Sequence, residues 1–199
     1  MRESSTQLLL VRHGQTPWNA EGRWQGHGDP GLSELGRAQA AQAAEALRTQ
    51  PGQSWDLVIA SDLERARVTA EILAEALRLP IEVDARLREL NVGAWTGLTR
   101  AENDARDPET LRAFETGEPS IRPGGGESRV EIRVRTRDFV RSLVERFAGR
   151  RLIVVTHLGV IRALVPGAQP GNGARIPVVA EEIAERAIDL ERRPGDGPV

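Results

Sequence analysis

The sequence predicts an α/β fold: a three-layer sandwich with a mostly parallel central sheet, helices on both faces, and an antiparallel edge strand or hairpin at the C-terminus. Two observations carry this expectation. Short unbroken aliphatic runs occur at residues 7–12, 56–60 and 152–156, the pattern of strands buried on both faces. Longer stretches with apolar residues at helical spacing lie between them, and strands alternating with helices build a parallel sheet.

Taken in order, residues 7–12 read as a strand that ends in a His-Gly turn. Ser33 is placed as an N-cap, and the helix after it runs to about Arg48, with Ala40, Ala43, Ala44 and Leu47 on one face. Pro51 and Gly52 end that helix, and 56–60 is the second strand. Ser61 or Asp62 is expected to cap the next helix, which reaches about Leu77. Pro80 closes the turn into a short third strand at 81–83. Residues 99–125 read as two short helices broken at Pro108 and Gly117, followed by a Pro-Gly-Gly-Gly loop at 123–126. A long helix is predicted over 127–148, with Ile132, Phe139, Val140, Leu143 and Phe147 inward. Strand 152–156 leads directly into His157 and a helix at about 160–165. The tail reads as a hairpin of 175–180 with 186–190, in which Pro177 confines the first strand to a sheet edge. All 199 residues are expected to form a single domain, with residues 100–125 as a specificity lid.

Composition narrows the chemistry. The net charge is −2, and all 27 basic residues are arginine. Lysine-based Schiff-base and Walker-type phosphate chemistry are therefore absent. There is no cysteine, which removes disulfides, thiolate catalysis and cysteine zinc sites. Acidic residues are interspersed throughout with no long basic run, which disfavours nucleic acid. The apolar run at 8–11 is stopped by Arg12 and is too short for a leader core or a membrane span. A cytoplasmic protein is expected. Arginine forks match phosphate oxygens in pairs, so this residue set suits an anionic ligand.

Ligands of such sheets bind outside the carboxyl ends of the strands, and His13 and His157 both sit where a predicted strand ends. Residues 10–19 read Leu-Val-Arg-His-Gly-Gln-Thr-Pro-Trp-Asn, followed by Gln25-Gly26 and Leu32-Ser33-Glu34-Leu35-Gly36. Ala60-Ser61-Asp62-Leu63-Glu64-Arg65-Ala66 forms a second block. Leu87-Arg88-Glu89-Leu90 with Gly93, Trp95, Gly97, Leu98 and Thr99 forms a third, and Gly125-Gly126-Glu127-Ser128 a fourth. The fifth is Val154-Val155-Thr156-His157, then Gly159-Val160-Ile161-Arg162. In content and order these blocks, spanning 7 to about 165, resemble the histidine phosphatase superfamily, in its phosphoglycerate-mutase-like branch and on the phosphatase side of it.

That resemblance implies a metal-independent phosphomonoesterase working through a phosphohistidine on His13, with no cofactor and a small phosphate ester as substrate. Arg12, Arg65 and His157 are implied as catalytic phosphate ligands and Glu89 as the general acid. Asn19, Gln25, Gly26 and Leu158 are implied as further substrate contacts. The chemistry agrees. A phosphate dianion needs several preorganised donors; neighbouring arginines keep His13 neutral and nucleophilic; a carboxyl facing a dianion is pushed toward the protonated form it must donate from. A metal held by His13, His157 and Glu89 is rejected, because Arg12 and Arg65 would sit beside the cation. Two alternatives stay open: a cofactor-dependent phosphoglycerate mutase, and a non-catalytic phosphate binder on the same fold.

Two positions depart from the family pattern. Leu158 stands where the block after the last strand usually has glycine, and Gly31 stands where a proline is common. His27 reads as an exposed loop histidine. Arg129, Arg133, Arg137 and Arg141 form a stripe spaced by four, expected to be a solvated face paired with Glu127 and Glu131 or with the neighbouring helices. Arg106, Arg112 and Phe114 are candidate contacts at the pocket mouth. The resemblance offers sugar phosphates derived from phosphoglycerate and α-ribazole phosphate as substrates, and residues 126–130 are similar to phosphatases acting on glucosyl-3-phosphoglycerate. The sequence leaves the oligomeric state open, a homodimer through the C-terminal hairpin being one assembly compatible with it.

Overall fold

The computed structural model describes residues 5–50 and 54–189. Five strands form one sheet: β1 (Gln7–Arg12), β2 (Leu57–Ala60), β3 (Ile81–Val83), β4 (Arg151–Thr156) and β5 (Arg175–Val179), in the spatial order β3-β2-β4-β1-β5. All neighbours run parallel except β1 and β5. Pro177 pairs with Leu9 in that antiparallel ladder and sits on the edge strand, the place where a missing N–H is tolerated.

The interior strands β1, β2 and β4 are apolar through their centres because those residues meet a packed layer on either face. Leu9, Val11, Val58, Ala60, Ile153 and Val155 face α2 (Glu34–Arg48) and α3 (Glu64–Leu77). The alternate residues Leu8, Leu10, Leu57, Ile59, Leu152 and Val154 face α6 (Arg129–Arg146), α7 (Leu158–Leu164) and α8 (Ala180–Asp189). The first layer is alanine-rich: Ala43, Ala44, Ala66 and Ala70 are buried there, and small side chains let the two helices lie close to the sheet and to each other. The second layer is filled by larger groups, among them Phe139 and Leu143. A short helix α1 (Pro17–Ala20) follows β1, and α4 (Arg100–Arg106) and α5 (Pro108–Glu115) precede the long α6.

Caps explain most boundaries. Ser33 accepts from Gly36 N–H at 3.1 Å and starts α2, a cap worth about 1 kcal/mol. Ser128 and Glu131 form a capping box, so α6 begins at Arg129 rather than 127. Pro108 at the first helical position separates α5 from α4. Helix α7 starts at Leu158, two residues earlier than its apolar spacing suggests. Three expectations need correcting or setting aside. Neither Ser61 nor Asp62 caps α3; Leu63 occupies the cap position without a side-chain bond, and the Asp29 carboxylate accepts from the N–H groups of Glu64 and Arg65 instead. Among the described residues the C-terminal hairpin does not form: β5 passes straight into α8, whose apolar face packs on α6. The Pro51-Gly52 stop lies outside the described residues.

The chain direction creates the crevice. From β1 the chain crosses to α2 on one face, whereas from β4 it enters α7 on the other. The connections diverge outside the carboxyl ends of two neighbouring parallel strands, which opens the standard binding position of an open α/β sheet.

Candidate active site

Strand register sets the two histidines side by side. Arg12 pairs with Thr156 in the parallel ladder, so the next residue on each strand, His13 and His157, emerges at the same level. Their ring centroids are 5.1 Å apart, and His13 N–H donates to Thr156 O at 3.0 Å. Arg65 comes from the first turn of α3, after β2 on the other side of β4. Glu89 follows a short helical turn at Ala85–Leu87, and that segment is tied to β4 by Thr156 Oγ1 donating to Leu87 O at 2.9 Å.

His13 is 2% exposed. Its Nδ1 lies 2.7 Å from Gly14 O; a carbonyl only accepts, so Nδ1 carries the proton and Nε2 keeps its lone pair. Burial, then the Arg65 charge, pushes the imidazole down to about 3. His157 is fully buried, neither ring nitrogen has a partner, and it too is pushed well below its usual value, chiefly by burial and then by Arg65. Two neutral imidazoles therefore stand beside two guanidinium groups. Arg65, also fully buried, is fixed by Gly28 O at 2.7 Å, Gly26 O at 2.8 Å and Asp29 at 3.3 Å. Arg12 donates to Pro170 O at 2.8 Å. The Nε of each arginine is buried without a partner. Unsatisfied buried donors of this kind are costly in an empty protein and well suited to an anion.

The remaining groups are oriented from behind. Asn19 Oδ1 accepts from Thr16 N–H and from Asn172, both at 3.1 Å, so its amide nitrogen is the end left to donate. Gln25 Oε1 accepts from Thr16 Oγ1 at 3.0 Å, which leaves its nitrogen in the same role. Glu89 Oε1 accepts from Leu90 N–H at 2.8 Å and from Gly159 N–H at 2.9 Å, while Oε2 has one longer bond from Gly159 at 3.2 Å.

Arg12, His13, Asn19, Gln25, Gly26, Arg65, Glu89 and Leu158 line one cavity of about 290 Å³, with Trp24, Leu90, Phe114, Gly159 and Arg162 among its other walls. His157, expected as a substrate contact, is not among the residues that line it; its ring lies beside that of His13. Trp24, Trp95 and Phe114 stack edge to face, with centroids 5.2–6.2 Å apart, and give the cavity a rigid aromatic wall. Leu158 adds to the apolar lining. Gly31 takes φ +73°, a conformation closed to the proline common at that position. His27 lies outside the cavity, half-buried with Nε2 against Glu89 O at 2.9 Å. Of the three mouth candidates only Phe114 reaches the cavity; Arg106 and Arg112 are exposed elsewhere. Among the described residues no group of three or more His, Asp or Glu side chains is placed to hold a metal ion.

Sequence reasoning missed several supports. Asn172 bridges His13 O and Asn19 Oδ1, both at 3.1 Å. Asp29 caps α3 and pairs with Arg65. Gly159 is required because a Cβ there would collide with Glu89 Oε1. Only Gly159 left a signal, as the glycine two residues after a strand-end histidine.

An anion receptor built around a neutral, buried histidine at this position defines a class, and the chain belongs to the histidine phosphatase superfamily, branch 1, whose family model matches residues 8–182. Among curated relatives it is similar to glucosyl-3-phosphoglycerate phosphatase of Mycobacterium tuberculosis, 43% identical over 79% of this chain and 72% of that protein. It is also similar to the metal-independent phosphoserine phosphatase of Arabidopsis thaliana, 38% identical over 80% of this chain and 67% of that protein. The solved structure of a mycobacterial glucosyl-3-phosphoglycerate phosphatase with VO3 superposes with a TM-score of 0.75, at 39% identity over 86% of this chain and 91% of that one.

Proposed function

We propose that this chain hydrolyses small phosphate monoesters through a phosphohistidine intermediate, with His13 Nε2 as the nucleophile. The observation that carries the reading is the state of His13: its proton is fixed on Nδ1 by Gly14 O, and burial with Arg65 keeps it neutral. The lone pair on Nε2 is therefore available at any physiological pH.

In the first step Nε2 attacks phosphorus, the P–N bond forms and the P–O bond to the leaving group breaks. Glu89 delivers its proton to the leaving oxygen; Oε2, with its single longer hydrogen bond, is the oxygen that carries it. Arg12, Arg65, the amides of Asn19 and Gln25, and His157 hold the phosphoryl oxygens as charge redistributes. In the second step water attacks phosphorus, Glu89 takes a proton from it, the P–N bond breaks and inorganic phosphate leaves. The chain's own side chains supply every donor and acceptor in both steps. The relatives named as phosphatases support this reading. Substrate selection is assigned to residues 100–125, whose Phe114 lies at the cavity. No helix among the described residues is long and apolar enough to cross a membrane; the cysteine-free composition fits a cytoplasmic setting.

The test is release of p-nitrophenol from p-nitrophenyl phosphate by the protein and its His13→Ala variant, with EDTA present. Hydrolysis that survives EDTA and vanishes in the variant is expected. Equal activity in both proteins removes His13 from the reaction.

A further inference from the structure

A second cavity of about 450 Å³ adjoins the first and shares Leu90, Phe114, Gly159 and Arg162 with it. Its position relative to the chemistry follows from two of those residues. Leu90 and Gly159 donate the backbone N–H groups that hold Glu89, so this cavity lies on the Glu89 side of the phosphoryl site. A leaving group protonated by Glu89 extends toward it.

Its charge is one-sided. Arg129, Arg133 and Arg162 line it, and none of the three makes an ion pair among the described residues. The acids expected to neutralise the stripe are engaged elsewhere: Glu127 with Arg135 at 2.6 Å, and Glu131 with Arg122. Arg129 is held in place over the Phe114 ring, 4.2 Å from its centroid, and it is pulled below its ordinary value by burial and then by the charges of Arg133 and Arg162, with no acid opposing. Three arginines converging without a counter-charge repel one another, and a guanidinium fixed by stacking is a preorganised anion donor. Arg162 is steadied by Gln169 and Ala168 O.

We propose that the leaving group of the natural substrate carries a second anionic group, which sits in this outer cavity against Arg129, Arg133 and Arg162. This rests on the phosphatase reading of the inner cavity. The preferred esters are then doubly anionic small molecules, and α6, the helix bearing Arg129 and Arg133, shares in specificity with the segment that carries Phe114.

Two matched pairs test it: 3-phosphoglycerate against glycerol 3-phosphate, and 6-phosphogluconate against sorbitol 6-phosphate. Each pair exchanges a carboxylate for a hydroxymethyl group at a different reach. For at least one pair, the wild type is expected to favour the acid at least ten-fold in kcat/KM. That preference should fall several-fold in Arg133→Gln and close to unity in Arg129→Gln/Arg133→Gln. Arg133 is exposed and takes no part in the Phe114 stack, so a lost preference there is not a folding defect. No preference in either pair, or one unchanged by the double variant, overturns the proposal. If no ester is hydrolysed, the phosphatase reading fails, and the subsite stands or falls on equilibrium binding of the same four compounds to the same proteins, with the same ratios required.

Discussion

Replacing Gly159 by alanine separates the acid from the rest of the site. A Cβ at this position falls inside contact distance of Glu89 Oε1, 3.3 Å from Glu89 Cδ and 3.4 Å from Ile132 Cδ1. Ile132 is core and cannot yield, so the carboxylate must retreat by about 1 Å to reach normal contact. In doing so it weakens the 2.9 Å bond from Gly159 N–H. A displacement of that size costs a catalytic group about 100-fold. Alanine favours a helix over glycine by about 1 kcal/mol, so α7 itself is not undermined and the melting temperature should hold. The assay compares kcat/KM, which reports steps up to phosphorylation of the enzyme, for an alkyl phosphate and for p-nitrophenyl phosphate. The alkyl ester should lose about 100-fold. The aryl ester should lose far less, because p-nitrophenolate departs without a proton. An equal loss on both esters, or no loss on either, refutes the assignment of Glu89 as the acid.

Other outcomes follow from the same geometry. Both buried histidines stay neutral in the folded, unliganded protein, whereas in the unfolded chain they protonate near 6.5. The unfolded state then binds more protons from pH 6.5 down to about 3, the folded value of His13, so stability should fall as pH drops through that window. The slope is a little over about 1 kcal/mol per pH unit for each histidine; urea titrations at pH 7 and 5.5 should show it, and a His13→Gln/His157→Gln variant should show a flatter response. Asp29→Ala removes the α3 cap and the Arg65 partner. It should cost about 1–2 kcal/mol by chemical denaturation and raise KM more than it lowers kcat. Asn172→Ala should cost about 1 kcal/mol or less in stability, yet lower kcat/KM several-fold by freeing Asn19, and steady-state kinetics beside a melting curve would separate the two effects.

The layers were readable from the sequence wherever one residue's environment is decided by its own neighbours in the chain. The strands at β1, β2 and β4 are unbroken aliphatic runs because helices cover both faces, and α2, α5 and α6 carry their own caps. The site residues at strand ends were readable for the same reason: His13 and His157 follow apolar runs directly, and the motif blocks carried the resemblance. What failed involved partners distant in sequence. The cap of α3 comes from Asp29, 35 residues earlier than Glu64, and no local pattern reveals it. Residues 186–190 were read as the second strand of a hairpin, whereas Ala180 and Ile183, spaced three apart, bury one face of a helix that runs to Asp189. The arginine stripe was assigned to Glu127 and Glu131 or to neighbouring helices; folding gives those two acids to Arg135 and Arg122 and leaves Arg129 and Arg133 on a cavity wall.

The central claim, that phosphate passes through His13, is tested most directly by intact-mass analysis of the protein quenched into alkali during turnover, where phosphohistidine survives. A Glu89→Gln variant turning over p-nitrophenyl phosphate should accumulate one added phosphoryl group, mapped to the peptide containing His13 and absent from His13→Asn. Turnover with no phosphoryl on the protein, or with the group found on His157, would contradict the account.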